Sequence, residues 1–313
     1  MDSLAKLRLL EKAVLKKCDA IDGITDGVID DPRACNFDPE KDLADKLCKG
    51  DVNADACFTR RQLQTIPEFY RGPHDSNGTR VYWGKAPGSE WSWGPAFIPN
   101  PSNRFFPGSL GTSGDHLNYL FFENDPGVPP PDLTDVTYRL NKESNPPEWA
   151  WWEFSIDDVT AGKADLMMSV MNATNPDLTR FLLGRNGKLI LYHGWCDYGP
   201  APSGTIEYFE NVVKSTFRGN LDEARKHVRL FMVPGMGHCS GGPGPNNWDK
   251  LAPLVAWVER SQAPDLVIAT HTTAGKVDNE RPICAFPRRA VYSGPAGGQN
   301  DPSNWVAANF TCR

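Results

Sequence analysis

The sequence predicts an α/β fold in which a parallel sheet flanked by helices follows a long, irregular segment. Three observations predict it. Beyond about residue 177, short apolar runs alternate with amphipathic stretches of helical length. Between about 72 and 150 the composition turns to Pro, Gly, Asn and Trp, and residues 18–57 are crowded with Cys and Asp. Strands alternating with helices of about ten or more residues imply parallel pairing with helices on the sheet faces. The Pro- and Gly-rich segment can be neither a regular helix nor a central strand, yet it is too aromatic for disorder.

In chain order, residues 3–17 place Leu and Val at helical spacing, which predicts an amphipathic helix ending at Cys18. Residues 18–57 have few apolar runs and predict a stretch held by covalent and ionic links. The next segment carries Trp83, Trp91, Trp93, Trp149, Trp151 and Trp152, which predicts an irregular insertion packing its aromatics over a neighbour. A short helix follows at 177–183, a strand at 188–193, a helix at 204–217 and a strand at 228–233. A helix at 248–261 and a third strand at 266–270 complete the pattern.

The bulk numbers exclude some classes. At 313 residues the chain can bury a full core. A net charge of -6 and a pI near 5.6 argue against nucleic acid, which needs a basic face. No apolar run reaches membrane-spanning length, and the first twenty residues lack the pattern of a signal peptide. Yet eight cysteines without zinc-type C-x-x-C spacing favour disulfides, and sequons begin at Asn77, Asn172 and Asn309. Together they predict a secreted protein whose natural N-terminus lies upstream of Met1.

Two strand ends carry candidate chemistry. Lys188–Asp197 reads as strand, Gly194, then Asp197; Val228–Cys239 reads as strand, glycines, then His238. Functional groups in open α/β sheets collect beyond the carboxyl ends of strands. Asp followed by His one strand–helix unit later is the order of acid and base in α/β-hydrolases, where a serine on a G-x-S-x-G turn comes first. No such motif occurs; the nearest, Gly111–Asp115, has Asp at its last position. Strand-end Asp and His are also common as purely structural residues. A third constellation is Cys18–Cys35, where Asp19, Asp22, Asp26 and Asp30 alternate with glycines. Hard oxygen ligands on a turning backbone suit Ca²⁺, although the spacing is not that of an EF-hand. A solvated acidic disulfide loop is the alternative.

At these residues the chain resembles the tannase/feruloyl esterase family of serine carboxylic-ester hydrolases. The matching stretches are CDAIDGITDGVIDDPRAC (18–35), Ser-Gly-Asp at 113–115, YHGWCD (192–197), VPGMGHCSGGPGP (233–245) and LAPLVAWVERSQAPDLVIAT (251–270). The resemblance implies an α/β-hydrolase core interrupted by a lid, whose tryptophans at 83–93 and 149–152 would line a pocket for a phenolic acid or form the lid's own core. Residues 1–17 would lead out of the core, 18–176 form the lid, and 177–313 return to the core. It implies structural Ca²⁺ held by the side chains of Asp19, Asp22 and Asp26 and the main-chain carbonyls of Ile24 and Val28. Asp197 would be the acid and His238 the base, acting through an acyl-serine on a small-molecule aromatic ester. Local disulfides would join Cys18 to Cys35, Cys48 to Cys57 and Cys284 to Cys312. The nucleophile, and the cysteine that pairs in the family with the equivalent of Cys239, would lie before Met1. Cys239 is then expected either free or paired with Cys196. The 313 residues alone are expected not to turn over ester and to expose an apolar sheet edge. The alternative function is an inactive fragment serving as a secreted calcium-binding module.

Overall fold

The computed structural model describes residues 3–98, 116, 154–163 and 165–313. Residues 113–115 and Trp149, Trp151 and Trp152 lie outside the described residues. Helix α1, Leu4–Cys18, starts where the Ser3 hydroxyl accepts from the Lys6 amide. Leu7, Leu10, Val14 and Cys18 recur every three or four residues and are all buried, so the helix turns one stripe inward. That stripe joins Phe58, Ile66 and Trp93 in one apolar cluster. Ile66 comes from α2, Arg60–Arg71, a helix absent from the sequence expectations. Its start is a capping box, in which Thr59 accepts from the Gln62 amide and the Gln62 side chain accepts from the Thr59 amide.

Within this part, Glu90 is fully buried. Its carboxylate accepts from the Tyr70 hydroxyl at 2.7 Å and from the Gly88 amide at 3.0 and 3.1 Å. Burial pushes the carboxyl up to about 7 despite those donors.

Strand β1, Leu189–Gly194, lies parallel to β2, Val228–Val233, with Gly194 opposite Val233. Helix α3, Pro202–Phe217, crosses between them and buries Ile206, Phe209, Val212, Val213 and Phe217. All six residues of β2 are buried, whereas β1 pairs only with β2 among the described residues and leaves Tyr192 partly exposed. Helix α4 spans Ala252–Arg260.

The third expected strand is corrected. Strand β3, Leu266–Thr273, does not extend the parallel pair; it forms an antiparallel hairpin with β4, Lys276–Cys284. The two-residue turn Ala274-Gly275 has positive φ at both positions (50° and 79°), the backbone twist that joins neighbouring antiparallel strands. Beyond β4, Ala285 bridges Phe231 and the Phe286 amide donates to the Leu230 carbonyl at 2.8 Å, so this return segment runs antiparallel beside β2. Strands β5, Ala290–Tyr292, and β6, Phe310–Cys312, form a third two-stranded sheet.

Disulfides join Cys18 to Cys35, Cys48 to Cys57 and Cys284 to Cys312. The alternative pairing of Cys196 with Cys239 does not form. Cys196 is buried and its thiol donates to the Gly88 carbonyl at 3.2 Å, whereas Cys239 is exposed. Burial pushes the Cys196 thiol up to about 12.

Two measurements follow. Ellman's reagent should titrate one thiol, Cys239, in the native protein and a second only on unfolding; two thiols reacting at similar rates would contradict the buried site. Glu90 stabilises the fold fully below its unfolded value near 4.5, and this contribution is lost as pH rises through about 7. Glu90→Gln should therefore flatten the fall of Tm between those pH values, and an unchanged slope would exclude Glu90 as its source.

Candidate active site

The parallel ladder does not stop where the strands do. The Trp195 amide donates to the Val233 carbonyl at 3.0 Å, and the Cys196 amide donates to the Met236 carbonyl at 2.9 Å. The loop after β1 and the loop after β2 are thus held side by side. Two glycines permit it. A Cβ on Gly194 would lie 2.3 Å from the Met236 carbonyl oxygen, inside any tolerable contact. Gly235, at φ 65°, lets the second loop fold back until a Cβ there would meet the Gly244 amide at 2.6 Å.

This arrangement brings Asp197 and His238 together. His238 Nδ1 lies 2.9 Å from Asp197 Oδ2. The Asp197 side chain is 6% exposed, whereas that of His238 is about half exposed, at 47%. The other oxygen, Oδ1, accepts from the Gly199 amide at 2.7 Å. Burial works to raise the carboxyl, but hydrogen bonds from His193, His238 and Gly199 outweigh it and hold Asp197 below the usual carboxylate range. A carboxylate accepting from Nδ1 fixes the proton there and leaves Nε2 with a free lone pair. Such a pair can take a proton from a hydroxyl and return it to a leaving group.

Several neighbours were not anticipated. His193 sets Nε2 3.2 Å from the same Oδ2. The Lys85 ammonium donates to the carbonyls of Tyr198 at 2.6 Å and Gly199 at 2.9 Å, pinning the Asp197 loop. The Trp91 ring lies against Gly237 and Gly242, under the His238 loop. Of the tryptophans expected to line a pocket, Trp83 does so. It joins Phe69, Tyr82, Phe97, His74 and Lys85 around a cavity of about 740 Å³. Trp93 is core, stacked on Phe69 at 5.1 Å. The i to i+4 spacing of His193 and Asp197 was the one available signal; nothing in sequence connects Lys85 or Trp91 to residues more than a hundred positions away.

The aspartates of the acidic loop converge on a residue the sequence reading did not include. Arg281 of β4, fully buried, donates to Asp22 Oδ2 at 3.0 Å, Asp26 Oδ2 at 2.9 Å and Asp30 Oδ1 at 3.3 Å. Asp19 accepts the Gly27 amide, at 3.0 and 3.2 Å to its two oxygens. Desolvation, opposed by Arg281 for Asp22 and Asp30, pushes the carboxyls of Asp19 and Asp22 up to about 6 and that of Asp30 up to about 7. The amides of Ile24 and Val28 bond the side chains of Asp22 and Asp26, and their carbonyls accept no hydrogen bond among the described residues. Among those residues no three His, Cys, Asp or Glu side chains are arranged to hold a metal by themselves. A cation here would therefore need the main-chain oxygens of Ile24 and Val28 as well.

The family model for tannase and feruloyl esterase matches residues 2–308. An uncharacterized esterase of Xanthomonas campestris pv. campestris is 33% identical over 99% of this chain and 55% of its own length. The mono(2-hydroxyethyl) terephthalate hydrolase of Piscinibacter sakaiensis is also 33% identical, over 97% of this chain and 52% of its own. The crystal structure of an esterase from Aspergillus oryzae superposes with a TM-score of 0.73 at 26% identity, covering 99% of this chain and 57% of that one. The chain spans about half the length of the curated relatives it matches. It belongs to the tannase and feruloyl esterase family.

Proposed function

We propose that this chain carries the acid and base of a serine carboxylic-ester hydrolase that acts on esters of aromatic acids. One observation carries the reading: a buried, ionised Asp197 bonded at 2.9 Å to the Nδ1 of a half-exposed His238. In the reaction, His238 Nε2 takes the proton of a serine hydroxyl as that oxygen attacks the ester carbonyl. It then returns the proton to the departing alcohol, and repeats both steps with water to release the acid. Asp197 holds the tautomer and stabilises the imidazolium. The nucleophile is not assigned within these 313 residues, which contain no G-x-S-x-G motif.

The aromatic preference is supported by the cavity walled by Phe69, Tyr82, Trp83 and Phe97, whose Lys85 also bonds the Asp197 loop. It is supported too by relatives named for terephthalate and ferulate esters, such as a probable feruloyl esterase B-1 of Aspergillus flavus. Residues 18–176 act as the lid in this reading, and the apolar cluster of α1, α2 and Trp93, separate from that of α3 and β2, is consistent with it. Secretion fits the three disulfides and the exposed Asn77 and Asn172 sequons. Among the described residues no helix is long and apolar enough to cross a membrane.

Calcium belongs to the same proposal. Three aspartates share one guanidinium with a fourth, Asp19, in the same loop, and the carbonyls of Ile24 and Val28 accept no hydrogen bond among the described residues, so an oxygen-only set with surplus negative charge fits a hard divalent cation. Asp19, Asp22 and Asp26 with Ile24 and Val28 would hold it. When bound, the ion supplies the missing positive charge, and Val28, whose side chain would contact a Cβ on Gly235 at 3.2 Å, carries that order to the base loop.

Two experiments decide these readings. In the gene product that contains this sequence, His238→Ala should cut kcat on methyl ferulate by about 10³-fold or more, while the 313 residues alone should show no turnover. Hydrolysis indifferent to His238→Ala would end the catalytic reading. Calcium at about a hundredfold its Kd should stabilise the chain by about 2.7 kcal/mol and raise Tm by roughly 5 °C. A melting curve identical with and without chelator would refute the metal site.

A further inference from the structure

Asp197 is bonded by two imidazoles. On Oδ2, His238 Nδ1 stands at 2.9 Å and His193 Nε2 at 3.2 Å. The second ring differs from the first in three respects. It belongs to β1, where its backbone is paired in register with Met232, so it is anchored by the sheet while Asp197 sits on the loop beyond. Its side chain is 13% exposed, against 47% for His238. Its other nitrogen is also engaged: Nδ1 lies 2.6 Å from the Thr205 hydroxyl, in the first turn of α3.

A neutral imidazole has one donor and one acceptor nitrogen. The carboxylate can only accept, so it claims the proton on Nε2, and Nδ1 must then accept from the one group beside it that can donate, the Thr205 hydroxyl. Around the same carboxylate, the Gly199 amide donates to Oδ1, and Lys85 bonds the Gly199 carbonyl, two residues on, with its ammonium favouring the ionised acid. We propose that His193 is a positioning residue for Asp197, presenting Nε2–H to the oxygen shared with His238, while the Thr205 hydroxyl sets its tautomer. The two histidines then carry opposite tautomers on one oxygen: Nδ1–H on His238 and Nε2–H on His193. His193 touches neither substrate nor nucleophile. It holds the acid from the sheet side, so that His238 meets an ionised carboxylate in a fixed place.

The assignment rests on the acid role proposed for Asp197, but its test needs no turnover. Nitrogen-15 NMR of the side-chain histidines in the 313-residue chain at pH 7.5 should show His193 protonated at Nε2 alone. Protonation at Nδ1, or at both nitrogens, would overturn the proposal. In His193→Phe, carbon-13 titration of the Asp197 carboxyl should show its midpoint raised by about one pH unit, a tenfold change in proton affinity. His193→Gln, whose amide can reach the place of Nε2, should restore most of the shift, which loss of packing alone would not allow. An Asp197 midpoint unmoved in the Phe variant sinks the positioning role. Should that variant fail to fold, Thr205→Val carries the test: the His193 tautomer should become a mixture, and a single unchanged tautomer counts against the proposal. If the parent protein cleaves no ester yet these tautomers are found, only the hydrolase reading falls. If it cleaves ester and His193 proves to be Nδ1–H, only the positioning role does.

Discussion

The parallel pairing of β1 with β2 is the constraint on which the remaining geometry depends. Six residue pairs in register align the strands, and two amide–carbonyl bonds beyond them, from Trp195 to Val233 and from Cys196 to Met236, carry the alignment into the loops. Asp197 and His238 are forty-one positions apart in the chain, and neither helix nor turn could join them. The sheet does so because both follow strands that end at the same level. Burial of every β2 side chain makes that level costly to change, since a slip of one residue would force each side chain into a site packed for its neighbour.

Much of this was legible from residue order. An apolar run, a glycine and then Asp or His locates a group at a strand end without any knowledge of the fold, and the two strand ends lie side by side. The hairpin of β3 and β4 was not legible, because its turn, Ala274-Gly275, lacks the Asn-Gly or Asp-Gly signature and β3 reads like any buried strand. The groups that tune the site were hidden for a different reason. Lys85, Trp91 and Arg281 act across 113, about 146 and 251 to 259 positions respectively, and no local period or motif encodes such encounters. Sequence patterns report what neighbours in the chain do together; side chains that arrive from elsewhere leave no trace in them.

The acidic loop illustrates the same division. Its aspartates and glycines were plain in the sequence, as were the candidate ligands. The guanidinium at its centre was not, since Arg281 stands on β4, near the other end of the chain. A buried arginine shared by three carboxylates ties the loop after α1 to the hairpin that follows β1 and β2. Removing one partner of such a cluster leaves charge buried without compensation. The contact therefore joins the beginning and the end of the chain through electrostatics, where the Cys284–Cys312 link reinforces the same hairpin covalently.

Gly194 gives the arrangement its tolerance. It sits where the acid-bearing loop departs from the sheet, and the opposing carbonyl leaves no space for even one carbon. A methyl group at that point could be admitted only by levering the two loops apart, and the lever would act on the separation of carboxylate and imidazole rather than on the core. The missing side chain at Gly194 thus sets how closely the two loops approach each other.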